Sequence, residues 1–302
     1  MKETKSDRSE KNPQVRTGEN PGEKPKPGKL ILRLAIFFLM YIIFRACVET
    51  LVTIASLVIA QSMPDAVKNF MITGTLEEGL DLTGNWTVIV SGIAFAVAGL
   101  MIFGKAKEYD SKYTVKKEVS KYFYPLTCVA AAGLALFLNM SVAMSGIAAH
   151  FSDYTETAAT QYSCSIVVGI LVYGFVSPIS EELMFRGILY NGLKRLYIPK
   201  SAMIMCAAIF AIYHGNGLQG TYGFIISLFL IYSYEFSGQF KTAVLIHMVC
   251  NITAYVMNYA YMYLNVVAQA LILGLSLVLA GVSLYLLYKK GMALKTDAKT
   301  DE

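Results

Sequence analysis

Residues 180–187 read Ser-Glu-Glu-Leu-Met-Phe-Arg-Gly and directly follow a long apolar segment. They place Glu181, Glu182 and Arg186 where a membrane helix ordinarily carries no charge. Ionisable side chains are expensive in a lipid-embedded helix, and those that occur there are functional-site candidates by default. We therefore interpret this stretch as one wall of a buried polar site.

The composition around this stretch is that of a membrane protein. The chain has 302 residues, of which 55% are hydrophobic and only 16% are charged, whereas soluble domains carry about 25% charge. The charges crowd into residues 1–33, 105–121 and 194–200 and into the C-terminus, leaving long apolar stretches between them. This composition excludes an ordinary soluble protein, and no segment resembles a module that binds nucleic acid.

Eight segments are apolar enough to be membrane spans, since a helix needs about 20 apolar residues to cross the bilayer. The sequence predicts spans at about 30–61, 85–104, 123–148, 161–180, 201–214, 221–237, 242–258 and 265–288. The predicted fold class is therefore all-α, a polytopic membrane bundle of about eight transmembrane helices.

The charges between the spans predict their orientation. Nine Lys or Arg residues lie in 1–33 and six in 105–121, whereas 62–83 has only one and 149–160 has none. Positively charged loops stay on the cytoplasmic side of a membrane. We expect an integral protein of the plasma membrane in contact with lipids, with both termini cytoplasmic.

The same pattern divides the chain into five parts. We predict a disordered cytoplasmic tail over 1–28, because this segment has almost nothing to bury. N-terminal transmembrane helices follow over 29–158, and the polar motifs fall in a catalytic core over 159–260. A C-terminal transmembrane helix over 261–290 precedes a cytoplasmic tail over 291–302.

The spacing within the first motif predicts different roles for its two carboxylates. Arg186 lies four residues after Glu182, so the two can form an ion pair on one helix face. Glu181 diverges from Glu182 by roughly 100° on a helix and points elsewhere. We therefore expect Glu181 to be the general base. The alternative is a charged cluster that merely ends a helix near the cytoplasm.

Two further motifs lie in the following apolar segments. Phe210 and His214 are four residues apart, and the glycines after His214 predict that a helix ends there. His247 and Asn251 are also four apart, and their N–H groups suit an oxyanion site. The alternatives are a histidine that only caps a helix and hydrogen bonds that only hold membrane helices together.

Taken together, the three motifs resemble the signature of the CPBP intramembrane protease family, also called the Abi family. That family contains type II CAAX prenyl endopeptidases and proteins linked to bacteriocin processing or self-immunity. The resemblance implies that Glu181 and His214 activate a water and that His247 and Asn251 stabilise the oxyanion. It implies supporting roles for Glu182, Arg186 and Phe210.

The resemblance favours a glutamate-type mechanism with no cofactor. The chain lacks a His-Glu-x-x-His motif, and a zinc site needs three well-aimed protein ligands. Zinc stays an alternative, since Glu181, His214 and His247 make up three candidate ligands.

The leading hypothesis is an intramembrane endopeptidase that cleaves a lipidated or membrane-bound peptide near its C-terminus. We expect Glu181, His214, His247 and Asn251 to surround one cavity that opens to the cytoplasm. Two alternatives are a non-catalytic bacteriocin self-immunity or membrane binding protein and a small transporter with a proton relay. The sequence predicts neither the natural substrate nor the oligomeric state.

Overall fold

The computed structural model describes the backbone of residues 26–61 and 83–300, and every regular element in these ranges is a helix. Residues 1–25 of the predicted tail lie outside the described residues, as do the last two residues of the chain. The first helix begins at Pro27, slightly earlier than predicted. Proline suits the first turn of a helix because the N–H that it lacks would have no partner there.

The helices of the described residues follow one another along the chain. They are α1 (Pro27–Gln61), α2 (Thr83–Tyr113), α3 (Phe123–Ser145), α4 (Ser152–Gln161), α5 (Ile166–Leu193), α6 (Pro199–Tyr213), α7 (Gly217–Ser237), α8 (Phe240–Tyr261) and α9 (Val266–Thr300). A short 3₁₀ turn, Ile147–His150, precedes α4.

Six of these helices, α1, α2, α3, α5, α8 and α9, are long and apolar enough to cross a membrane. The length and apolar composition of these six helices are those of an integral membrane protein. Each of the eight predicted spans coincides with a helix, but α6 and α7 are not among the six. Helix α6 has 15 residues, which span only about 22 Å at 1.5 Å per residue.

The helix that carries the glutamates is the main correction to the predicted spans. The sequence predicted a span over 161–180, so that Glu181 would lie just beyond its end. In the structure the helix α5 continues to Leu193, which puts Glu181 near its middle. The helix continues through the charged stretch because hydrogen bonds within the protein satisfy those charges, as they must away from water.

Polar caps and glycines set the ends of the helices around the site. Ser165 caps α5 by accepting a hydrogen bond from the Val168 N–H, and the Asn216 side chain caps α7 in the same way. Gly215 has a φ of +76° in the short connection between α6 and α7. This left-handed conformation favours glycine, and the predicted end of the helix at this point is confirmed.

A close approach of α3 and α9 depends on Gly133. A Cβ atom at this position would lie 2.8 Å from the backbone nitrogen of Ala280 and 3.0 Å from the carbonyl oxygen of Ser276. Small residues at such positions let membrane helices pack closely.

We expect Gly133→Ala to lower the free energy of unfolding by about 1–3 kcal/mol, because a backbone contact cannot yield as a side chain can. Thermal unfolding of the purified protein in detergent measures the loss. Gly281→Ala is the matched control on α9, since a Cβ atom added there would have no neighbour within 4 Å. Equal melting temperatures for the two variants would contradict this account of the α3–α9 contact.

Candidate active site

Helix α5 is irregular on both sides of the two glutamates. A π-helical segment, Ile170–Val176, precedes the short α-helical stretch Ser177–Glu182, and a second π-helical segment, Leu183–Tyr190, follows it. Wide turns of this kind are rare and occur frequently at functional sites. The irregular backbone therefore marks the same part of α5 that the charged motif marked.

Glu182 and Arg186 form a fully buried ion pair. The Arg186 guanidinium donates to Glu182 Oε1 at 2.8 Å, and both side chains have 0% exposure. Arg186 also donates to the hydroxyl of Ser227 on α7 at 2.9 Å and lies over the Phe210 ring, 5.0 Å from its centroid. The four-residue spacing predicted this pair, and Ser227 and Phe210 surround it from two further helices.

Glu181 points away from that pair. Its Oε1 accepts a hydrogen bond from the Ser177 hydroxyl at 2.7 Å, and its Oε2 lies 3.7 Å from His247 Nε2. The residue is 6% exposed and lines a cavity. Glu181 is thus the carboxylate of this motif that can contact a molecule bound in the cavity.

His247, on α8, lies between the two carboxylates. Its Nδ1–H donates to Glu182 Oε1 at 2.7 Å, which leaves Nε2 on the side of Glu181. The edge of its ring also packs against Phe210, with 5.8 Å between the ring centroids. The sequence did not predict the contact between His247 and Glu182, because these residues are 65 positions apart.

His214 follows the last residue of α6 and lines the same cavity. Its Nδ1–H donates to the Phe210 carbonyl oxygen at 2.8 Å, and its ring packs against the Phe210 ring at 4.6 Å between centroids. These contacts fix the ring and leave Nε2 available to a water or a substrate.

Asn251 is held by the irregular backbone of α5. Its side-chain amide donates to the Tyr173 carbonyl oxygen at 2.9 Å. In this π-helical turn the Ser177 N–H bonds to Val172 O, and the residue after it, Pro178, has no N–H to offer Tyr173. The freed carbonyl binds Asn251, whose second amide hydrogen is left over for another acceptor.

The four predicted side chains surround one cavity of about 290 Å³. Glu181 lines it from α5 and His214 from the end of α6, while His247 and Asn251 line it from α8. Because Glu181 lies in the middle of α5 and not beyond its end, it lines the same cavity as His214. The four residues therefore meet in space, and the chemical role of each stays a prediction.

Several residues of this site were not among the predicted site residues. Ser177 holds Glu181 and could have been found, because it lies four residues earlier on the same helix face. Ser227 and the Tyr173 carbonyl gave no sequence signal. Arg45, on α1, lines the cavity and stacks over the Phe95 ring, 4.6 Å from its centroid.

The candidate zinc ligands Glu181, His214 and His247 all line the cavity. No group of three or more His, Cys, Asp or Glu residues is arranged to hold a metal ion among the side chains that the structure describes, which lie within residues 26–61 and 84–289. His247 Nδ1 and His214 Nδ1 are both engaged by oxygen atoms of the protein. Bonds of this kind leave Nε2 of each ring for a further ligand, so zinc stays an alternative and the metal-free mechanism stays a prediction.

Residues 163–253 match the protein-family model described as Type II CAAX prenyl endopeptidase Rce1-like. No curated protein and no solved structure matches the chain. The matched segment contains all three motifs and all four of the predicted cavity residues, and it confirms the resemblance that the motifs indicated. Residues 163–253 of this chain are therefore a domain of the Rce1-like, type II CAAX prenyl endopeptidase family.

Proposed function

We propose that this protein is an intramembrane endopeptidase that hydrolyses a peptide bond near the C-terminus of a lipidated or membrane-bound peptide. The observation that carries the proposal is the meeting of Glu181, His214, His247 and Asn251 around one cavity within an apolar bundle. A carboxylate, imidazoles and an amide are the groups that activate a water and stabilise an oxyanion.

Glu181 is the proposed general base. Its Oε1 is held by Ser177, and its Oε2, which lies 3.7 Å from His247 Nε2, is the oxygen proposed to accept a proton from a water in the cavity. The oxygen of that water attacks the peptide carbonyl carbon, and Glu181 then gives the proton to the leaving amine. His214 Nε2 is the second group proposed to hold the water, since its Nδ1 is bound to Phe210.

His247 and Asn251 are the proposed oxyanion donors. Asn251 has one amide hydrogen beyond the one bound to Tyr173. His247 donates Nδ1–H to Glu182, so its imidazolium form presents Nε2–H toward the cavity. Removal of a single oxyanion donor typically lowers kcat by about 10²- to 10³-fold.

The proposed role of Glu182 and Arg186 is to position His247. Glu182 bonds to both Arg186 and His247 through the same oxygen atom. With His247 protonated, the two carboxylates, Glu181 and Glu182, balance the charges of Arg186 and His247. This balance lowers the free-energy cost of keeping the four groups out of water. A cluster with no net charge can stay assembled inside a bundle where little water surrounds it.

The proposed topology has eight crossings with both termini in the cytoplasm. It treats α6 and α7 as crossings in addition to the six long helices. The connections that face the cytoplasm in this topology carry Lys194, Arg195 and Lys241, among other basic residues. Positive charge after every second crossing is the pattern expected when these connections face the cytoplasm.

The proposal is tested with purified protein in detergent and a panel of membrane-anchored and prenylated peptides, with the products identified by mass spectrometry. We expect internal cleavage near the C-terminus of at least one peptide, unchanged by a metal chelator and absent with Glu181→Gln. A broad panel that stays intact, or that Glu181→Gln cleaves equally, would refute the proposal. Loss of activity with chelator, restored by zinc, would refute the metal-free mechanism.

A further inference from the structure

We infer that the cavity opens at the extracytoplasmic end of the bundle, so that its substrates are peptide segments presented at the outer side of the membrane. The inference rests on the proposed function and topology. It reverses the cytoplasmic opening that the sequence analysis predicted. Three observations carry it: the ends of the helices that line the cavity, the gradient of burial, and the charge of the connections.

The cavity lies in one half of the bundle. Tyr173 and Ser177 line it from the first half of α5, and His214 lies directly after the last residue of α6. Asn251 and Tyr255 line it from the second half of α8. In a bundle whose successive spans alternate in direction, the start of α5 and the ends of α6 and α8 lie on the same side.

Burial increases from that side inward. Thr157 and Gln161, on the short helix α4, line the cavity and are partly exposed. The deeper residues Glu181 and His247 are 6% and 3% exposed. The mouth of the cavity is therefore at the end that carries α4.

The opposite end is closed by packed side chains. Beyond Glu181 along α5, the side chains of Met184, Phe185 and Ile188 are all 0% exposed. Arg186 in the same turns is bound to Glu182 and Ser227. No lining residue of the cavity comes from this part of α5. A substrate therefore has no route to Glu181 along α5 from this end.

The charges identify which end faces the cytoplasm. The connection at the mouth, residues 146–165, contains no Lys or Arg. The connection between α2 and α3, at the other end of the bundle, contains Lys116, Lys117 and Lys121. Basic connections remain in the cytoplasm, so the mouth faces away from it.

The walls of the cavity fit an extended peptide with apolar side chains. Amides that can hydrogen-bond a peptide backbone are combined with aromatic rings that pack against apolar groups. These residues are Asn139, Gln161, Gln219, Tyr162, Tyr173, Tyr222 and Tyr255. The substrate class is therefore an apolar segment of an exported or membrane-anchored peptide at the outer surface.

The side of the mouth is tested by cysteine labelling in intact cells, without any need for activity. Thr157→Cys is placed at the mouth, and Lys116→Cys is the matched control at the opposite end. We expect a membrane-impermeant maleimide to label Thr157→Cys from outside, above the wild-type background, and to label Lys116→Cys only after permeabilisation. The reverse pattern would overturn the inference, and Gln161→Cys repeats the measurement if Thr157→Cys is not produced.

The use of this mouth by the substrate is tested on the purified variants. A bulky maleimide on Thr157→Cys is expected to lower kcat/KM at least tenfold, whereas the same label on Lys116→Cys leaves it within twofold. Unchanged cleavage by fully labelled Thr157→Cys would overturn the assignment of the mouth. If the endopeptidase proposal is wrong, the unlabelled protein cleaves no peptide, but the labelling pattern in intact cells is still the one expected for this mouth. The two failures can therefore be told apart.

Discussion

Replacing Glu181 by glutamine is expected to lower kcat/KM for a cleavable peptide by about 10²- to 10⁴-fold, the usual contribution of a general base. Glutamine keeps the size of the side chain and an oxygen that can accept the Ser177 hydrogen bond. It cannot accept a proton from water. Kinetics with a peptide from the panel, followed by mass spectrometry, measure the loss, and an unchanged melting temperature shows that the fold is intact.

The matched control is Glu235→Gln on α7. Glu235 forms an ion pair with Lys194, its side chain is 31% exposed, and it does not line the cavity. We expect its kcat/KM to stay within about twofold of the wild-type value, because exposed ion pairs contribute little. Retention of full activity by Glu181→Gln would show that another group is the base.

The second large effect is expected on stability. Arg186→Met leaves the Glu182 carboxylate buried without its guanidinium partner, and breaking a buried pair in this way costs about 3–5 kcal/mol. It also removes the donor that binds the Ser227 hydroxyl. We expect a clear fall in the melting temperature of the purified protein in detergent and a lower yield of folded protein.

A double variant separates stability from catalysis at this pair. Removing both charges in Glu182→Gln with Arg186→Met is expected to recover much of the lost stability, because neither charge of the buried pair is then left without its partner. Activity is expected to stay low, since His247 then lacks a carboxylate at Nδ1. A double variant as unstable as Arg186→Met would show that the charge left on Glu182 is not the cause.

The part of the site that could be predicted from sequence is the part that one helix determines. The Glu182–Arg186 pair follows from a spacing of four residues, and the divergence of Glu181 follows from its position next to Glu182. Both are local geometry. The match to the family over residues 163–253 likewise depends on motifs that are visible in the chain.

What the sequence did not predict depends on packing between helices. The resemblance implied that Glu181 acts with His214, and the structure adds a contact that it did not imply, with His247 Nε2 3.7 Å from the Glu181 carboxylate. The length of α5 was underestimated because charged residues lower the apolar content of its second half. Ser227, which satisfies part of that charge from α7, has no spacing relation to Arg186 that a sequence pattern reveals.

The π-helical turn of α5 has a mechanical consequence. Asn251 is tied to the Tyr173 carbonyl, and His247, one turn earlier on α8, is tied to Glu182. Two anchors on successive turns oppose both rotation of α8 about its axis and sliding along α5. We therefore expect the two helices that carry the proposed base and oxyanion donors to move as one rigid body. The motion that admits a peptide is then expected in the helices on the other side of the cavity.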